Sequence, residues 1–206
     1  MDEINHVCSL GTLCHTASLL KKNNLKKESY PFDWIFSDLN LIKDCLKNNF
    51  IEFLNKNNYS SAEDKKCFNL FYNKTVPIFN HHNPLIDMND YNYFVRCVDR
   101  FNKILKSQEK KLFLMMFVNL TKENDNLKIL QDFNAFLNLY TDNYYLLILN
   151  CYNLKNNVPY HKNITIDNLI IIDFYSTSLS NGTNFLNEMD NEYINNILNN
   201  FNFNIL

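Results

Sequence analysis

An α/β fold is predicted, as a three-layer, mainly parallel sheet with helices on both faces, and three observations predict it. Residues 111–118, 144–151 and 168–174 are nearly continuous apolar runs, the pattern of strands covered on both faces. Segments with apolar residues at helical spacing separate or flank these runs, giving the alternation of an α/β domain. Near the N-terminus, an apolar run over 4–10 meets one of only two glycines in the chain, Gly11, and leads into a helix-like segment.

Taken in order, residues 4–10 form the first strand and 14–22 its helix, followed by a second helix over 38–55. Residues 66–79 supply a further strand, which Pro77 places at an edge, because proline cannot donate to a ladder. The helix over 92–106 carries Phe94, Val98, Phe101 and Leu105 on one stripe. The helix over 126–140 carries Leu127, Leu130, Phe133, Phe136 and Leu137. The tail over 184–201 repeats the pattern through Phe185, Met189, Tyr193, Ile197 and Leu198. Residues 57–65 and 153–163 read as exposed loops. No linker or repeat divides the 206 residues, so one α/β domain over 1–206 is expected.

Composition narrows the function. Apolar content of 46% and charge of 20% describe a globular chain. A net charge of −2 gives no electrostatic case for nucleic acid or for an acidic membrane surface. Six cysteines with no CxxC pair, and no signal-peptide pattern, fit free thiols in a reducing cytoplasm. Asparagine is roughly a fifth of the chain, with Lys, Ile, Phe and Tyr abundant, a bias of AT-rich codons. It points to a virus, protist or bacterium, and so to an intracellular setting that includes a virus-infected host cell.

Ligands of parallel sheets collect beyond the carboxyl ends of the strands. The first strand ends at Ser9-Leu10-Gly11 and leads to Cys14 at a helix start, where unpaired N–H groups and the helix dipole favour a thiolate. Cys14 is therefore the candidate nucleophile; its alternative is a core cysteine. Ser9 is a candidate helix cap or oxyanion contact, and backbone N–H groups from Gly11 to Cys14 would hold an oxyanion. A cysteine nucleophile needs a histidine base and a group that orients it. His81 and His82 are the paired candidates, and only one of two neighbours faces a given site on extended backbone. Asp33, between Phe32 and Trp34, is a candidate orienting carboxylate, and Trp34 a pocket wall. Arg96 and Arg100 share a helix face, either as a surface ion-pair cluster with Asp99 or as a fork for a carboxylate or phosphate. The spacing of His81, His82 and Asp87 matches no zinc pattern, so neither metal nor cofactor is expected.

Ser9-Leu10-Gly11-x-x-Cys14-x-x-Ala17-x-x-Leu20 followed by Tyr30-Pro31-Phe32-Asp33-Trp34-Ile35 resembles the opening of a family of uncharacterised proteins described as papain-like cysteine peptidases. Val98-Asp99-Arg100-Phe101 and the strand from Lys111-Leu112-Phe113 are similar to a later helix and strand of that family. The resemblance covers most of residues 5–120; beyond it rests on strand character and an Asn181-Gly182…Asp190 region. It implies Cys14 as nucleophile, His81 or His82 as base and Asp33 as third member. Where the family tends to carry two arginines, this chain has Arg96-Cys97. The resemblance implies cysteine chemistry more than proteolysis as such.

Papain-type enzymes set the cysteine helix against an antiparallel barrel, whereas the alternation here favours the layered parallel sheet over a papain-like α+β arrangement. The expected activity is a cysteine hydrolase or acyl transferase acting on a peptide or a small acyl or glycan substrate. The alternatives are an esterase-like sugar- or acyl-modifying enzyme using Ser9 or Asp173, and a non-catalytic binding protein that presents the aromatic turn over 30–34.

Overall fold

The computed structural model describes residues 3–123, 126–153 and 157–205. Its central sheet has five strands: β1 (His6–Ser9), β4 (Lys111–Leu120), β5 (Tyr144–Asn153), β6 (Tyr160–Ile166) and β7 (Leu169–Ser176). Their order across the sheet is β1-β4-β5-β7-β6. The first four run parallel, with Cys8 opposite Phe113, Leu114 opposite Leu147 and Ile148 opposite Ile171. The fold is the mixed α/β arrangement expected.

The apolar runs are continuous because both faces are covered. Alternate side chains of β4, β5 and β7 point to opposite layers. Phe113, Met115, Leu146, Ile148, Leu169 and Ile171 join the core made with α2 (Leu39–Lys47), α3 (Ile51–Leu54), α4 (Met88–Lys106) and α5 (Leu127–Leu137). Leu112, Leu114, Leu147, Leu149, Ile170 and Ile172 join the core made with α1 (Cys14–Lys22) and α6 (Glu188–Leu198). Each fully buried large side chain contributes roughly 1.5–3 kcal/mol, so losing either layer would unfold the sheet.

Four segments depart from the sequence expectation. The helix expected over 38–55 breaks after Lys47, because Asn49 and Phe50 take left-handed backbone (φ 52° and 62°) before α3 begins. Residues 66–79 add no strand to the main sheet. Instead β3 (Cys67–Asn69) pairs antiparallel with β2 (Tyr59–Ser61), and Phe79 bridges Cys67. The expected loop over 57–65 thus contains β2. The expected loop over 153–163 overlaps the end of β5 and the start of β6, and its residues 154–156 lie outside the described residues. β6 is an antiparallel edge strand whose side chains are nearly all exposed. It lacks the apolar signal that a covered strand carries.

A chain of aromatic contacts fixes the segment before His81. Phe32 packs edge-to-face on Phe101 (5.5 Å between centroids), Phe53 on Phe79 (5.4 Å), and Phe79 against Phe94 (4.6 Å). These contacts join the 30–35 turn, α3 and α4, and they hold Phe79 at 0% exposure, two residues before His81.

Candidate active site

The turn between β1 and α1 is held by four side-chain hydrogen bonds. Gly11 has φ +92°, where only glycine is at ease, and a Cβ there would overlap the Ser37 hydroxyl. The Gly11–Thr12 peptide bond is cis. Ser9 Oγ accepts from the Gly11 amide (3.1 Å), and Thr16 Oγ1 donates to the Gly11 carbonyl (2.5 Å). Ser37 Oγ donates to the Leu10 carbonyl (2.9 Å), and Thr12 Oγ1 to that of Met116 (2.7 Å). The outcome is a rigid elbow that delivers Cys14 as the first residue of α1, a helix with no side-chain cap on its leading amides.

Cys14 Sγ lies 3.4 Å from His81 Nε2. The two line a pocket of about 290 Å³ with Leu13, Phe36, Asn80 and residues 181–183. A larger cavity, about 620 Å³ between α2 and residues 71–78, contains no histidine or cysteine. The smaller pocket brings a cysteine and a histidine together.

Burial pushes the Cys14 thiol above its ordinary value, against a smaller opposing pull from its own backbone N–H. Burial thus opposes the thiolate that the helix mouth favours. The helix mouth supplies donors, but a side chain 5% exposed loses more from desolvation than those donors return.

His82 turns the other way. Its Nδ1 is 2.6 Å from Asp90 Oδ1, its ring stacks on Tyr93 (4.7 Å), and the other Asp90 oxygen accepts from the Asn83 amide (2.7 Å). Asp90 therefore pins the strip 82–83, directly after His81, to the first turn of α4. Nothing local in the sequence marks Asp90 for this, since it reads as an ordinary acidic residue in a helix's first turn.

The far wall of the pocket is also built. His15 is buried, and its Nδ1 is 2.8 Å from Ser180 Oγ; Asn119 brackets Ser180, donating to its carbonyl and accepting from its amide. Asp190, fully buried, accepts from the amides and hydroxyls of Thr177 and Ser178. The Asn181-Gly182 turn is thereby held over Cys14.

The remaining expected residues lie elsewhere. Asp33 is 1% exposed, and its carboxylate accepts from Lys26 Nζ (2.5 Å) and the Tyr30 amide (2.8 Å). Burial still raises its proton affinity, with Lys26 pulling it back. Among the described residues no carboxylate hydrogen-bonds His81, so Cys14 and His81 stand as a dyad. Ser9 is fully buried as a clamp of the elbow. Trp34, Arg96 and Arg100 line a separate cleft with Tyr93.

Comparison with known proteins adds the lineage. Residues 5–151 match the family described as "Putative papain-like cysteine peptidase (DUF1796)". The chain belongs to this family. It is 32% identical over 133 residues to "Uncharacterized protein R408" of Acanthamoeba polyphaga mimivirus, covering 52% of this chain and 59% of that protein. The chain thus spans less than two thirds of that relative. No solved structure matches. The matched stretch of the papain-like cysteine peptidase family contains the elbow, the dyad and Asp90; the 181–183 wall lies beyond it. Among the described residues no helix is long and apolar enough to cross a membrane.

Proposed function

We propose that the chain is a cysteine hydrolase or acyl transferase in which Cys14 attacks a carbonyl carbon of an acyl or amide substrate, a peptide foremost. The observation that carries this reading is the 3.4 Å approach of Cys14 Sγ to His81 Nε2 in an open pocket at a helix start. His81, within reach of the sulfur, acts as the general base. Its Nε2 takes the thiol proton as the C–S bond forms. The developing oxyanion meets the uncapped leading amides of α1, that of Cys14 first. His81 then returns the proton to the leaving amine or alkoxide as the scissile bond breaks. A water, deprotonated by the same ring, cleaves the thioester and restores the thiol. Asp90 and His82 act on this sequence by positioning, since they hold the loop that carries the base.

Alkylation by iodoacetamide tests the reading. The other five cysteines are all fully buried, whereas Cys14 lines the pocket. Cys14 is expected to label first, faster toward alkaline pH as thiolate grows, and slower in His81→Ala. Loss of hydrolysis in Cys14→Ser with retained fold completes the case. Equal labelling of all six thiols, or an unchanged rate in His81→Ala, refutes it.

A further inference from the structure

Beside the dyad, α1 borders a second concavity whose charge is out of keeping with a chain of net −2. A cleft of about 440 Å³ lies between the end of α1, the 26–34 segment and α4. Five cations line it, Lys21, Lys26, Lys27, Arg96 and Arg100, against one carboxylate, Glu28. Two of the five are answered. Lys26 Nζ donates to Asp33, to Ser29 Oγ and to the Glu28 carbonyl, and Arg100 meets Glu28 at 3.4 Å. Lys21, Lys27 and Arg96 form no ion pair among the described residues, and all three are exposed. Arg96 makes no bridge to Asp99. Uncompensated cations in a concavity walled by Trp34 and Tyr93 focus a positive field on whatever enters.

The cleft is linked to the dyad along α1. Cys14, Ser18 and Lys21 fall on one stripe of the helix, and Ser18 is partly exposed where Ala17, Leu19 and Leu20 are buried. Seven residues of helix place Lys21 about 10 Å along the axis from Cys14, a distance that roughly three residues of extended peptide span. On the other side, the Tyr93 ring stacks on His82, the neighbour of His81. α1 meets the cleft at its C-terminal end, where the dipole opposes an anion, so no backbone cradle for phosphate forms there. Separate side-chain cations on three segments suit carboxylates spaced along a chain, one of which the Arg96 fork can take through both oxygens.

We propose that this cleft binds an acidic segment of a polypeptide substrate, its carboxylates about three residues from the bond presented to Cys14. The proposal rests on the reading of Cys14 as nucleophile. The full chain carrying Cys14→Ala is titrated, by fluorescence anisotropy, with labelled peptides of equal length rich in Glu, Gln or Lys. The Glu-rich peptide is expected to bind alone, to weaken as salt rises, and to lose about tenfold in affinity on Lys27→Ala with Arg96→Ala. Lys128→Ala, on an exposed face of α5, is expected to change nothing. In the chain with Cys14 intact, the same peptide is expected to protect Cys14 from iodoacetamide. Equal binding of the three peptides, indifference to the double variant, binding without protection, or tripolyphosphate binding where the Glu-rich peptide does not bind each overturns the proposal. Unselective labelling of the six thiols before any peptide is added refutes the nucleophile reading separately.

Discussion

Replacing Gly11 by alanine tests whether the elbow is as tightly built as its contacts imply. The backbone at φ +92° costs an L side chain about 1–2 kcal/mol on its own. The added methyl would overlap the Ser37 hydroxyl, which donates to the Leu10 carbonyl at 2.9 Å, and would press on Ser37 Cβ at 3.2 Å. Displacing that hydroxyl forfeits a partly buried hydrogen bond, about 1–1.5 kcal/mol more. Gly11→Ala is therefore expected to destabilise the chain by about 2–3.5 kcal/mol, a large share of a typical domain's stability. Urea denaturation followed through Trp34, the sole tryptophan, reads this directly. The same substitution in a Ser37→Gly background removes the overlap and should leave only the backbone term, a coupling of about 1 kcal/mol. Iodoacetamide labelling of Cys14 should slow in Gly11→Ala, because the elbow aims the thiol at His81. A loss below about 0.5 kcal/mol, or equal cost in both backgrounds, would sink the argument.

Two further expectations follow from the supporting contacts. Asp90→Ala removes the partners of His82 Nδ1 and the Asn83 amide, so a loss of about 2 kcal/mol is expected in denaturation; labelling of Cys14 should fall with it, and unchanged labelling would show that His81 is aimed by something else. His15, whose proton affinity burial lowers from 6.5 to about 4, is neutral in the fold. The unfolded chain binds the proton first, so stability falls as pH drops from 6.5 toward 4, by about 3 kcal/mol in all. His15→Gln should flatten that part of the pH–stability curve, and an identical slope in the variant would remove His15 as its source.

Legibility followed the kind of signal each element carries. β4, β5 and β7 were readable because a strand covered on both faces is apolar throughout, and α1 and α4 because their stripes repeat at helical spacing. β6 was not, since an exposed edge strand such as 160–166 shows polar side chains on nearly every position. The break after Lys47 was also hidden, because two left-handed residues, one of them Phe50, interrupt an otherwise unbroken amphipathic run. Asp33 looked like a catalytic carboxylate from its aromatic neighbours, yet its hydrogen bonds run to Lys26 and Tyr30. Local sequence shows that a carboxylate is desolvated, not which cation answers it.

By itself the amino-acid order determined the layers of the fold and the delivery of Cys14 at a helix mouth after the first strand, since both follow from short-range periodicity and one glycine. Only the tertiary structure decided that His81, 67 residues away, meets the sulfur while His82 turns to Asp90, and that cations from three segments gather in one cleft. Those pairings depend on which aromatic faces pack between distant segments, and packing energy is shared across the core where periodicity is not.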